Sequence, residues 1–262
     1  MTALRGGALG GLRGVAVPSY DRGAVTAGIV HVGVGAFARS HLVVHVERLL
    51  EGGETAWGVC GLGTRPADRR TSEVLQAQDG LYALLVKHPD GRLDAQVVGA
   101  LVDHLHAPDD PKAAVERLAA PSTRLVTLTI TEGGYQVDPV SGRFTPVEPA
   151  VLLDLQPGAA PSTVFGLVVE ALVRRRARGV PPFAVVPLDN VAHNGAVARE
   201  ALSGFAARRD PALGAWVRAE VAFPSSMVDR ITPRTAPEDV ALLADRFGVE
   251  DGAPVVCEPY LQ

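Results

Sequence analysis

The sequence predicts an α/β protein built on a doubly wound, mostly parallel sheet with an antiparallel hairpin inserted into it. Three observations carry this. Short runs of β-branched and apolar residues at 29–32, 56–61, 124–130 and 183–186 alternate with longer stretches of helical spacing. The first strand, helix and strand fill about 30 residues, the size of a βαβ unit. The turn after the first strand is Gly33-Val34-Gly35, with Ala38 at the third small position of a Gly-x-Gly-x-x-Ala fingerprint. Such a turn lets the chain reverse sharply at Gly33. At Gly35 it leaves no side chain between the backbone and an anion, so a pyrophosphate is the natural occupant and the fold is Rossmann-like.

The elements follow in order. The Gly-rich start, 1–17, is expected to be a flexible terminus ahead of a dinucleotide-binding domain over 18–262. After the glycine turn, Phe37, Leu42, Val46, Leu49 and Leu50 share a helical face, and 56–61 is the second strand. An acid is then expected near that strand's end, to hold the ribose hydroxyls of a dinucleotide. The nearest is Asp68, in a loop that also carries Arg65 and Arg69, either of which could hold a 2′-phosphate instead. Asp68 also reads as a cap for a helix starting at Arg69.

Residues 81–86 and 93–101 alternate around His88-Pro89-Asp90-Gly91, a hairpin. A helix is expected over 111–119 and a strand over 124–130, closed by Thr131-Glu132-Gly133-Gly134-Tyr135. Ligands bind at the carboxyl ends of strands in such sheets, which makes Thr131 and Glu132 candidate cofactor contacts against the simpler reading of a turn. Residues 138–161 are proline-rich and read as irregular chain. A helix over 162–178 ends in Arg174, Arg175, Arg176 and Arg178, read as a solvated last turn capped by Gly179. The strand 183–186 delivers Asp189-Asn190. Asn190 stands where it could donate to a substrate oxygen, though such a pair also caps helices. Helices near 195–207, Trp216 and 238–247 and a strand at 254–257 complete the chain, which stops at Gln262 as if cut.

Composition narrows the function classes. With 25 basic against 29 acidic residues the net charge is −4, so no phosphate-backbone partner is expected. The two cysteines, Cys60 and Cys257, sit in apolar runs and read as buried thiols, in keeping with a reducing cytoplasm. No apolar run approaches the ~20 residues of a membrane span. A Gly-x-Ser-x-Gly elbow, a P-loop and paired-cysteine zinc motifs are all missing from the sequence. His41 and His45 have a metal's four-residue spacing but lack a third ligand, so no metal is expected.

Taken together, His31-Val32-Gly33-Val34-Gly35-Ala36-Phe37, Gln78-Asp79-Gly80-Leu81-Tyr82, 129–135, Asp189-Asn190 with Asn194-Gly195, and 226–233 make the sequence resemble the polyol-specific long-chain dehydrogenases, the family of mannitol 2-dehydrogenase and fructuronate reductase. The resemblance runs from Pro18 to the end. It implies NAD as cofactor, a sugar alcohol or ketose as substrate (a sugar acid in the fructuronate and tagaturonate branch), and a helical second domain. Gly33, Gly35 and Phe37, with Ala36 between them, would line the pyrophosphate. Asp68 would favour NAD, Asn190 would polarise the substrate oxygen, and Asp229 would lie near the reacting centre. Ala38 replaces the family's usual histidine, and Pro187-Leu188 its usual Ser-Cys. The family's catalytic lysine should lie beyond residue 262, since Lys87 and Lys112 are the only lysines and neither sits in its motif. The chain therefore reads as the cofactor half of a dehydrogenase, inactive alone. A non-catalytic nucleotide-binding module is the other reading, and the face left for the second domain suggests self-association.

Overall fold

The structure is a computed structural model that describes residues 2–12 and 14–262. In chain order its elements are β1 (Thr2–Ala3), β2 (Ala27–Val32), α1 (Ala36–Ser40), α2 (Leu42–Glu51), β3 (Gly58–Gly63), α3 (Arg69–Ala77), β4 (Tyr82–Lys87), β5 (Leu93–Val98), β6 (Leu101–His106), α4 (Pro111–Ala119) and β7 (Leu125–Leu128). They continue as α5 (Pro149–Asp154), α6 (Val164–Ala177), β8 (Ala184–Pro187), α7 (Asn194–Arg209), α8 (Pro211–Glu220), α9 (Pro237–Phe247), β9 (Val249–Glu250) and β10 (Val255–Cys257).

Five strands form the central sheet in the order β6-β3-β2-β7-β8, all parallel. Every residue of β2 and β3 is buried, as expected when helices cover both faces. Alternation along β2 separates the two cores. Ile29 joins Val43, Val46 and Leu50 of α2 and Leu75 of α3 on one face. Val30 and Val32 join Leu118 of α4 and Val168 and Leu172 of α6 on the other. The chain leaves β2 toward β3 on one side and returns through β7 on the other, so the order reverses at β2, where such sheets take ligands.

The hairpin is present: β4 and β5 pair antiparallel from Tyr82↔Val98 to Lys87↔Leu93, and β10 adds to β4 in parallel. The expected strand over 93–101, however, is two strands. The Glu47 carboxylate accepts from the backbone amides of Gly99 (2.8 Å) and Ala100 (2.7 Å), which ends β5 and turns the chain into the central sheet as its edge strand β6.

Three further expectations change. The single helix from Phe37 to Leu50 is broken at His41 (φ −111°, ψ −86°), because the carbonyls of Arg39 and Ser40 are taken by the Tyr82 hydroxyl and the Arg230 guanidinium. The start of the chain is tied down in part, since β1 pairs with β9 and Leu4 is buried against Leu243 and Val249. The arginine turn is not simply solvated either. Arg175 is buried and donates to the carbonyls of Ala120, Thr123 and Pro181, while Arg174 and Arg178 grip Glu116 of α4. Both cysteines are free and buried, and among the described residues no helix is long and apolar enough to cross a membrane.

Candidate functional site: a dinucleotide crevice

Gly33 ends β2 with φ +91°, and a Cβ there would lie 2.2 Å from the carbonyl oxygen of Thr129, so only glycine fits. Gly35 is different. A Cβ there would meet nothing closer than the Gly33 oxygen at 4.0 Å, so the space over this residue is open. It is the N-cap of α1, whose first amides have no side-chain cap, and α1 is only five residues long because the helix breaks at His41.

A buried histidine fixes the loop from below. His31 is fully buried in β2, with Nδ1 2.8 Å from the Thr127 hydroxyl and Nε2 3.2 Å from both the Gly33 carbonyl and Thr129 Oγ1. The Gly33 carbonyl can only accept, which places the proton on Nε2. Burial pushes this imidazole down to about 4, so it is neutral at physiological pH. The Thr129 hydroxyl donates to the same carbonyl at 2.7 Å. Sequence reasoning missed His31 as a bracing residue. Its signal was a polar side chain inside an otherwise apolar strand.

On the β3 side of the loop a cavity of about 290 Å³ is lined by Gly33, Gly35, Gly63, Arg65, Asp68 and His104, among others. Asp68 lines this cavity from the turn after β3. Its carboxylate accepts from the amides of Thr64 (3.1 Å) and Arg65 (3.0 Å) and faces the Arg65 guanidinium at 3.2 Å, so it caps the turn ahead of α3 while lining the cavity. It makes no side-chain cap of α3 itself. Arg69 is turned away to Asp109. His104, pushed down to about 4 by burial, comes from β6, the strand that sequence reasoning had not separated.

On the other side of β2 from this cavity lie the ends of β7 and β8. There stand Thr131 and Glu132, both exposed, at the end of β7, and exposed Asn190 just past β8. The helix-cap reading of Asp189-Asn190 does not hold, because α7 starts at Asn194 with no side-chain cap. Asp189 instead accepts from the amides of Ile130 (3.2 Å) and Thr131 (2.9 Å) and from the Tyr135 hydroxyl (2.6 Å). Ala36 and Phe37 do not line the 290 Å³ cavity, and the Phe37 ring stacks on His41 with centroids 5.0 Å apart.

Residues 226–232 are pinned at both ends. The Asn194 amide nitrogen donates to the Ser226 carbonyl at 3.0 Å and its oxygen accepts from the Ser226 amide at 3.0 Å. At the other end Arg230 donates to the Ser40 and Glu258 carbonyls, and Thr232 Oγ1 lies 2.6 Å from Ser40 Oγ. Asp229, exposed, is thereby carried to the end of α1, where its charge raises the neighbouring His41 against the dominant lowering by burial.

Among the described residues no three His, Cys, Asp or Glu side chains gather as a metal site. Neither lysine stands by Asn190. Lys87, on β4 of the hairpin, pairs with Asp239 of α9, and Lys112 lies in the first turn of α4, which follows the edge strand β6 at the far side of the sheet from β8. The geometry can hold and orient a dinucleotide, and it offers a polar side chain, Asn190, at the β8 end.

Comparison with known proteins agrees with this geometry. The family model described as mannitol dehydrogenase Rossmann domain matches residues 27–262. A mannitol 2-dehydrogenase of Cereibacter sphaeroides is 47% identical over 251 residues, covering 95% of this chain and 52% of that protein. One of Pyricularia oryzae is 42% identical over 253 residues, covering 95% and 50%. In structure, the chain is similar to a Pseudomonas fluorescens mannitol 2-dehydrogenase solved as a ternary complex with NAD and D-mannitol (TM-score 0.96, 41% identity, 100% of this chain and 54% of that one). It is also similar to a D-sorbitol dehydrogenase in substrate-free form (TM-score 0.94, 42% identity, the same coverage). The chain spans about half the length of the relatives it matches. This chain belongs to the mannitol dehydrogenase family, whose Rossmann domain it contains.

Proposed function

We propose that this chain binds NAD(H) across the crevice and is the cofactor half of a dehydrogenase that moves hydride between NAD(H) and the secondary alcohol of a sugar alcohol or its ketose. The observation that carries the reading is the pairing of an obligatory glycine at Gly33 with open space at Gly35, beside a carboxylate at Asp68. Gly33 and Gly35 would hold the pyrophosphate, with Ala36 and Phe37 forming the turn behind them. Asp68 would take the ribose hydroxyls, which favours NAD over its 2′-phosphorylated form, and Thr131 and Glu132 would border the nicotinamide half. When bound, NAD supplies the hydride acceptor. Asn190 would donate its amide to the substrate oxygen, and Asp229 would lie beside the reacting carbon.

Oxidation of an alcohol also needs a base for the hydroxyl proton, and the crevice offers no lysine for it. That base belongs in this proposal to the length of the relatives that the chain does not span. Exposed Met227, Ile231 and Tyr260 support a covering partner at that face, whether the remaining domain or a second copy. A cytoplasmic location fits the two free thiols.

The test is a fusion. Joining residues 1–262 to the part of the Cereibacter sphaeroides mannitol 2-dehydrogenase that they do not span should yield NAD reduction by mannitol, with the chain alone giving at least 1000-fold less. A fused protein that binds NADH and yet leaves mannitol unoxidised would count against polyol chemistry for this half.

A further inference from the structure

Thr131 has φ +66° and ψ 163°, a combination that glycine adopts freely and a β-branched residue almost never does. Something must hold it there. Among the described residues the carboxylate on its backbone is that of Asp189, from the turn just past β8. Oδ1 accepts from the Thr131 amide at 2.9 Å, and Oδ2 accepts from the Ile130 amide at 3.2 Å and the Tyr135 hydroxyl at 2.6 Å. Tyr135 is buried, and burial followed by the charge of Asp189 pushes its hydroxyl far above the usual tyrosine range, so it remains a donor. Asp189 is itself anchored, since its carbonyl accepts from the buried Asn194 amide at 3.1 Å. On the other side the loop is held by Thr129, whose carbonyl oxygen leaves no room for a Cβ at Gly33 and whose hydroxyl donates to the Gly33 carbonyl. The segment 129–132 is thus clamped between the glycine turn of β2 and the end of β8.

We propose that Asp189 is a positioning residue for the nicotinamide half of the cofactor, holding Thr131 in a glycine-like conformation so that 129–132 forms the wall of the crevice between β7 and β8. This rests on the proposed dinucleotide site. Asp189 is not a catalytic residue in this assignment, because its oxygens are already bonded to Ile130, Thr131 and Tyr135. The loop wall acts on one half of the dinucleotide only, which gives the idea its signature.

The test is a cycle with Asp189→Asn and Thr131→Gly, read by calorimetric titration with NADH and with ADP-ribose, which lacks the nicotinamide. Asparagine turns one oxygen into a donor that faces a donor. Asp189→Asn is expected to weaken NADH about tenfold and ADP-ribose less than threefold. In the Thr131→Gly background the same change should weaken NADH less than threefold, since glycine takes this backbone without being held. Equal losses of the two ligands, or equal losses in both backgrounds, would overturn the proposal. Should Asp189→Asn fail to fold, Tyr135→Phe removes one of the three bonds, and the same NADH-selective loss, about threefold, is expected. Amide hydrogen exchange supplies a readout without ligand. Ile130 and Thr131 should exchange at least tenfold faster in Asp189→Asn, and unchanged protection would overturn the clamp. A wild-type chain that binds no NADH would overturn the proposed function, while the exchange data would still decide the role of Asp189.

Discussion

Gly33→Ala is expected to cost about 4 kcal/mol of stability and to abolish NADH binding. Two independent terms add. The backbone at φ +91° is strained for any residue with a Cβ, at about 1–3 kcal/mol. The new methyl would also sit 2.2 Å from the Thr129 carbonyl oxygen, a backbone atom at the end of β7 that cannot swing aside as a side chain would, and such overpacking costs about 1–3 kcal/mol. Relief requires β7 to move away from β2, which opens the crevice. Gly35→Ala is the informative partner. Its methyl enters open space, so stability should change by less than about 1 kcal/mol, while NADH binding should still weaken at least tenfold because the methyl occupies the ligand's place. Urea unfolding and NADH titration of both variants check this. A Gly33→Ala chain as stable as the parent would contradict the account of the turn.

Acid should destabilise the protein steeply between pH 6.5 and 4. His31 and His104 are both lowered to about 4 in the fold, by burial first, against an ordinary value of 6.5. The unfolded chain therefore takes up protons at these residues before the folded one does. Their contribution is full above pH 6.5, is lost as the pH falls toward 4, and changes no further below it. At 1.36 kcal/mol per unit the loss is about 3 kcal/mol for each histidine, an upper figure in each case. Glu47 and Asp251 act in the opposite sense, since burial raises both and lets the folded state bind their protons first, so they offset part of the loss at the acid end. The urea midpoint measured at pH 7, 6, 5 and 4.5 should fall at each step, and His104→Gln should flatten the decline by roughly half. A midpoint unchanged from pH 7 to 5 would mean that neither imidazole is held neutral by burial.

The glycine turn, the alternation of strands and helices around it and the hairpin were legible in the sequence because each is a local pattern. Val30 and Val32 alternate with Ile29 and His31, and Gly33 and Gly35 punctuate a switch from period two to helical spacing. What was not legible depends on partners distant in sequence. The break at His41 is set by Tyr82 and Arg230, 41 and 189 residues away. The division of 93–101 from β6 is set by Glu47, and the burial of Arg175 by carbonyls of the loop after α4. Of the candidate site, Gly33, Gly35 and Asp68 do line one cavity, and Thr131 and Asn190 stand at adjacent strand ends. Asp189 could be noticed in the sequence only as a neighbour of Asn190. Its work is visible once Thr131 is seen at φ +66°, since nothing in a Thr-Glu-Gly-Gly sequence announces that the threonine rather than a glycine takes the positive angle.

The measurement that bears most directly on the central claim is calorimetric titration of the purified chain with NADH and, separately, with NADPH. The account predicts one NADH per chain, with NADPH at least tenfold weaker because its 2′-phosphate would face Asp68, and with no turnover of mannitol by the chain alone. Binding of neither dinucleotide would contradict it, as the crevice at Gly33, Gly35 and Asp68 would then not be a cofactor site.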